Sequence, residues 1–266
     1  MGKSKSTNRR PRRYRERDQG GDEQLVVGGP HAVRTVLGGS FRVERVFLAA
    51  TAGRRAQEIA NEARAAGIPV SSIGEAECDR LCGARAQGIA AATQFTYADH
   101  ADVLAGGSGG SLLVYLDGVT DPHNLGAILR TAAAAGVAGV VLPGRRAAAV
   151  TGAVVRVSAG AAFSVPVVRV GNLVQALSEA KREGLWVVGL DHQAERTLTP
   201  APPGQPQALV VGGEGEGLHR LVAETCHELA RLPMVGRVES LNASVAAALA
   251  IYRLREAVLY GSNSVD

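Results

Sequence analysis

Aromatic residues are scarce in this 266-residue chain, at 4%, with a single tryptophan. A core must therefore be built from Val, Leu, Ala and Ile, and the chain is 46% hydrophobic and 20% charged, a balance that reads as soluble and globular. Cysteine is also rare. Cys78, Cys82 and Cys226 are an odd set, and no neighbouring Cys or His completes a zinc ligand set for the first two, so neither a disulfide framework nor a metal is expected. Missing as well are the roughly 18 uninterrupted apolar residues of a membrane span and the apolar run of a secretion signal. A cytoplasmic location without a membrane partner is expected. Glycine, by contrast, is abundant at 33 residues and points to many tight turns.

Charge is unevenly placed. Residues 1–24 carry eight Lys or Arg against four Asp or Glu, which accounts for the whole net charge of +4. A basic, apolar-poor arm of this kind is expected to be disordered and drawn to polyanions, nucleic acid first among them, with a merely solubilising tail as the alternative.

From residue 25 to 97 strand and helix patterns alternate: "QLVVGGPHAVRTVLGG", an alternating "VERVFLAA", a helical "GRRAQEIANEARAAG", then "IPVSSIG", "EAECDRLCG" and "RAQGIAAATQF". This predicts a small α/β domain. Residues 98–110 contain a Gly-Ser run and read as a flexible linker. From 111 to 266 the pattern restarts with "LLVYLD", a continuous apolar run suited to a strand buried on both faces. Helices are expected at about Asn124–Ala135, around Ala147–Val155 and at Asn172–Glu183. Further strands are expected at "AGVVLP", "VPVVRV", "LWVVGL" and "QALVVGG". The second domain is thus an α/β unit with a mainly parallel sheet, whose ligands belong beyond the C-terminal strand ends.

Three stretches carry polar residues in apolar surroundings. In "LDGVTDPHNLGAILRTAAAAGV", Arg130 follows Asn124 by six positions and is set among Ala, Ile and Leu, where it calls for an anionic partner or a structural ion pair. "LVVGGEGEGL" lacks both G-x-x-x-x-G-K-[ST] and G-x-G-x-x-G, and Glu214 and Glu216 would repel phosphate. Its glycines instead let backbone approach a flat or cationic ligand. "LPMVGRVESLNASVAAALAIYRL" passes from a Pro-Gly turn through Glu239, Ser240, Asn242 and Ser244 into an Ala-rich helix, with Asn242 a suitable N-cap.

Together these three stretches resemble, in order and separation, the motifs of the SpoU (TrmH-type) RNA ribose methyltransferases of the SPOUT superfamily. "GGPHAVRTVL" and "QGIAA" resemble the ends of the L30e-like substrate-binding domain that precedes the catalytic domain there, although Ala86 stands where that family commonly has His. The resemblance implies a SPOUT-type α/β knot, a deep C-terminal trefoil of a kind otherwise nearly absent from folds. It also implies S-adenosylmethionine as methyl donor, no metal, RNA as substrate and a homodimer packed through the knot helix. By motif position it assigns Arg130, Asn124, Glu214 and Ser240 to catalysis, and Gly212, Gly213, Leu232, Met234, Leu241 and Asn242 to the cofactor. The implied reaction is 2′-O-methylation of a guanosine in 23S ribosomal RNA.

Other readings stay open. Relatives act on transfer RNA or at ribosomal sites that confer antibiotic resistance. A non-catalytic RNA-binding protein of ribosome assembly could keep this fold, and a nucleotide-dependent enzyme could share the parallel sheet without the glycine fingerprint.

Overall fold

The computed structural model describes residues 23–261 apart from 40, 84, 107–110, 201, 203, 216 and 239. Of the arm expected over 1–24, residues 1–22 lie outside the described residues, as do the Gly-Ser run at 107–110, Glu216 and Glu239, whereas Glu23 and Gln24 belong to the first strand because they pair with Phe95 and Gln94.

The first sheet is built from β1 (Glu23–Gly28), β2 (Val43–Ala49), β3 (Val70–Ile73) and β4 (Ile89–Phe95), in the order β1-β4-β2-β3. β4 runs antiparallel to both neighbours, and β2 and β3 are parallel. Helices α1 (Pro30–Gly38), α2 (Arg54–Ala65) and α3 (Glu75–Cys82) fill the connections. The amphipathic spacing of α2 puts Ala56, Ile59, Ala60 and Ala63 on the buried side, as a 3.6-residue period requires.

Residues expected to form a flexible linker contain a helix, α4 (His100–Ala105). Asp99 caps it by accepting from Ala101 N at 2.8 Å. His100 then ties it to the second sheet, with Nε2 2.9 Å from the Tyr115 hydroxyl and Nδ1 3.2 Å from Glu179. The helix occupies the stretch before the Gly-Ser run on which the linker expectation rests.

The second sheet contains β5 (Leu112–Asp117), β6 (Gly139–Pro143), β7 (Val167–Val170), β8 (Trp186–Leu190), β9 (Gln207–Gly212) and β10 (Glu228–Ala230). Their order is β10-β8-β9-β5-β6-β7, and each neighbouring pair is parallel. All of β5 is buried. Because side chains alternate along a strand, Leu112, Val114 and Leu116 enter one hydrophobic cluster while Leu113 and Tyr115 enter the other. On the first face lie α5 (Pro122–Ala134), α6 (Gly152–Val157) and α9 (Ala243–Leu254); on the second lies α7 (Leu173–Arg182), with Val222 of α8 (Arg220–Thr225). The described chain ends in α10 (Glu256–Tyr260).

The two sheets meet at an aromatic joint, where Phe163 packs edge-on to Phe41 and Phe95 with centroids at 4.6 and 5.5 Å. α6 lies close against β1: a Cβ at Gly152 would sit 2.9 Å from Val26 O. The helix expected from Ala147 begins only at Gly152. Thr151 caps it by accepting from Val154 N, and Ala148 N is committed to Val119 O at 2.9 Å. Among the described residues no helix is long and apolar enough to cross a membrane.

Candidate active site

The C-terminal ends of β5 and β9 bring the first two motif loops into backbone contact. Gly213 N donates to Asp117 O at 2.7 Å. A Cβ at Gly213 would lie 2.2 Å from Gly118 O, and one at Gly212 would lie 2.3 Å from Gly217 C. Neither gap admits a side chain, so these two glycines are required by the approach itself.

Asp121 accepts from His123 N at 2.9 Å and caps α5, with Pro122 in the first turn. That geometry places Asn124, only 5% exposed, beneath the second loop. Its Nδ2 donates to Glu214 Oε1. Asn242 Nδ2 donates to the same oxygen at 3.1 Å and to Asn124 Oδ1 at 3.0 Å. Asn242 Oδ1 in turn accepts from Ser244 N at 2.9 Å, Ser244 Oγ at 2.6 Å and Val245 N at 3.3 Å, capping α9. One polar residue from each motif therefore joins a single cluster. Glu214 is held by one oxygen.

Beside this cluster lies a cavity of about 250 Å³. Gly212, Gly213 and Glu214 line it from the second loop, and Leu232, Met234, Ser240 and Leu241 from the third. Met234 and Leu241 are each 38% exposed, which leaves apolar surface for a ligand to cover. Asn242 stands next to the wall through its bond to Glu214. Sequence reasoning missed Leu190, Asp191 and His192, which follow β8 and close the cavity's far side.

It also missed Asp117 and His219. Asp117 is 6% exposed; it accepts from His219 N at 2.7 Å and lies 2.9 Å from His219 Nδ1. This pair fastens the end of the second loop to β5. The available signal was an aspartate closing the apolar run "LLVYLD".

Arg130 does not join the cluster. Six residues on from Asn124 it is about 9 Å along α5 and turned roughly 120° away. Its side chain is exposed, and among the described residues it has neither a hydrogen bond nor an ion pair, so the structural ion pair, one of the two expectations for it, is not found among them. Ile128 and Leu129 are buried, while Arg130 faces outward.

The cysteines are held as thiols, Cys78 too being pushed up chiefly by burial. Burial is the largest cause that pushes the Cys82 thiol up to about 12 and Cys226 up to about 11, well away from thiolate nucleophiles. Among the described residues no cluster of His, Cys, Asp or Glu could hold a metal ion.

Residues 111–252 match a family profile described as the SpoU rRNA methylase family. The chain belongs to the SpoU rRNA methylase family. Residues 26–97 separately match a profile described as an RNA 2′-O ribose methyltransferase substrate-binding domain. A protein of Bordetella pertussis named 23S rRNA (guanosine-2′-O-)-methyltransferase RlmB is 42% identical over 232 residues, covering 85% of this chain and 95% of the relative. Among solved structures, an AdoMet-bound rRNA methyltransferase from Sinorhizobium meliloti is 25% identical with a TM-score of 0.78, covering 89% of this chain and 88% of that one. The SpoU methyltransferase AviRb from Streptomyces viridochromogenes, in complex with AdoMet, is 26% identical with a TM-score of 0.76, covering 88% and 90%. As a SpoU protein with such relatives, the chain is an RNA methyltransferase.

Proposed function

We propose that this enzyme transfers a methyl group from S-adenosylmethionine to the 2′-oxygen of a guanosine in 23S ribosomal RNA, and that it works as a cytoplasmic homodimer with a knotted C-terminal segment. The observation that carries this reading is the Asn124–Glu214–Asn242 cluster at the mouth of a glycine- and leucine-lined cavity. An adenosyl group asks for apolar walls and a few backbone hydrogen bonds. Leu232, Met234 and Leu241 supply the first, and the glycine backbone lining the cavity from Gly212 to Gly217 is suited to the second, so the residues present fit the group.

The sulfonium donor supplies an already activated methyl, so the protein's work is alignment and removal of the hydroxyl proton. Asn124 and Asn242 fix Glu214 through Oε1, which leaves Oε2 to receive that proton directly or through water. Ser240 lies at the cavity wall where the ribose would enter. Arg130 is not a base, because a guanidinium scarcely deprotonates in a protein. Its role is to hold the RNA phosphate and polarise the ribose oxygen, and its exposed position away from the cluster suits action on a partner protomer's site. Val245, Leu249 and Tyr252 are 46%, 50% and 39% exposed on α9. They recur at i, i+4 and i+7, an apolar stripe suited to a two-fold helix contact. The small sheet over 25–97 is the RNA-binding, L30e-like unit in this reading, and the rest from 111 is catalytic.

The decisive experiment maps 2′-O-methyl sites in ribosomal and transfer RNA from cells with and without this gene. Loss of one 23S guanosine mark is expected; loss of a transfer RNA mark instead would reassign the target. Calorimetric titration with S-adenosylmethionine tests the donor, and no detectable heat of binding would favour a non-catalytic RNA-binding protein. In the Glu214→Gln enzyme, an unaltered pH–rate profile would remove Glu214 from the proton path.

A further inference from the structure

The loop that follows β6 carries charge that the cavity does not use. Residues 144–150 run from β6 to the cap of α6 and are fastened along their length. Gly144 N donates to Val170 O at 2.8 Å, and Gly144 O accepts from the Arg169 guanidinium at 3.0 Å. Ala148 N donates to Val119 O at 2.9 Å, within the loop that leads to Asn124. Val150 N donates to the Tyr97 hydroxyl at 3.1 Å. Arg169 also sits over the Tyr97 ring, 5.6 Å from its centroid. The groups that brace the loop thus brace each other.

Arg145 and Arg146 project from this fastened loop. Both are exposed, and among the described residues neither has an ion pair or a hydrogen bond. Arginines elsewhere are often neutralised, as Arg34 is by Glu62, Arg54 by Glu58 and Arg220 by Glu224. Arg146 moreover adopts φ 57°, in the left-handed region where Gly, Asn or Asp is the comfortable occupant. A connection needed only for turning would be better served by one of those. Strain retained at an exposed, charged, well-braced position is a mark of function. The position itself is informative. β6 is the neighbour of β5, and the Ala148–Val119 bond keeps the backbone of Arg146 within about 10 Å of Val119 O, given the span of two residues and one hydrogen bond.

We propose that Arg145 and Arg146 grip the phosphodiester of RNA residues flanking the target nucleotide, setting the strand so that one ribose meets the cavity. The proposal rests on the RNA-methylation reading above and adds a positioning site to it. Two forked guanidinium groups match phosphate oxygens. Mounting them on a braced loop lowers the ordering cost of binding. Contacts of this kind fix register and carry no sequence information, so they would serve any base at the flanking positions.

The test compares R146N and the double variant R145N/R146N with wild type. Asn accepts the left-handed conformation, so the unfolding temperature should hold or rise, and S-adenosylmethionine titration should be unchanged. KM for RNA should rise tenfold or more in the double variant while kcat stays within about threefold. The slope of log affinity against log salt should shrink by about 0.7 per lost single-strand phosphate contact, hence by about 1.4. R146K should recover part of that slope. A double variant with wild-type KM and salt slope overturns the proposal, as does an RNA defect that appears only with a lowered unfolding temperature. If wild type neither binds the methyl donor nor methylates RNA, it is the underlying functional reading that fails.

Discussion

Asn242 performs two jobs with two ends of one amide, and substitution can separate them. Its oxygen accepts from Ser244 N, Ser244 Oγ and Val245 N, and its nitrogen donates to Glu214 and Asn124. Serine keeps an N-cap oxygen but is too short to reach Glu214; alanine keeps neither. Losing a favourable cap costs about 1 kcal/mol, within a range of roughly 0.5–2. Losing hydrogen bonds to an exposed carboxylate costs about 1 kcal/mol, discounted from buried values because water screens Glu214. Asn242→Ser should therefore destabilise by about 1 kcal/mol and Asn242→Ala by about 2. At about 2–4 °C per kcal/mol for a protein near this size, thermal melts followed by circular dichroism resolve the difference. Both variants should lose methyl transfer, because Glu214 keeps only the Asn124 half of its seat in each. Melting of the two at the same temperature would refute the cap, and wild-type turnover by Asn242→Ser would refute the seat.

Three further outcomes follow from the geometry. Gly213→Ala drives a methyl group to within 2.2 Å of Gly118 O; it should cost about 1–3 kcal/mol by overpacking and abolish donor binding in calorimetry, whereas unimpaired binding would mean the two loops can part. Leu249→Asp puts a charge in the exposed α9 stripe and should convert a dimer to a monomer by sedimentation without lowering the melting temperature by more than a few degrees. His227 has its pKa lowered, chiefly by burial and then by Lys181, with Glu228 opposing, and its Nδ1 accepts from Val187 N at 2.9 Å. A depressed value means the folded state resists the proton, so this stabilisation is present above the unfolded value of 6.5 and is lost as pH falls through the folded one. His227→Gln should flatten the decline of stability on acidification below 6.5, measured by urea denaturation, and an unchanged decline would exclude His227 as its source.

Local features of the chain were legible because their causes are local. The unbroken apolar run of β5 demands two covered faces, and Asn242 before an apolar-periodic stretch announces a cap. Gly212 and Gly213 could be read as sites of close approach from their place after a strand. The partner they approach could not, since Gly118 is brought there by the parallel register of β5 with β9. The same register creates the Asp117–His219 pair across 102 positions, which no spacing rule anticipates. The exposure of Arg130 was not legible for a related reason: apolar neighbours in sequence leave both a structural ion pair and an outside partner open, yet on a helix adjacent residues point in different directions, and Ile128 and Leu129 face inward while Arg130 does not. α4 escaped notice because a six-residue helix depends on its anchor, His100, more than on its own composition.

The seat of Glu214 has a consequence for the order in which the molecule comes into being. Asn124 meets Glu214 across 90 positions and Asn242 across 118, whereas the strands of the first sheet are complete by Phe95. A nascent chain can therefore close its first sheet early, but the Asn124–Glu214–Asn242 cluster cannot form until α9 has left the ribosome. At a synthesis rate of about 5–20 residues per second, the delay is on the order of 10–30 s. Truncated products would have the first sheet without the cluster or the Leu232–Ala246 wall of the cavity beside it.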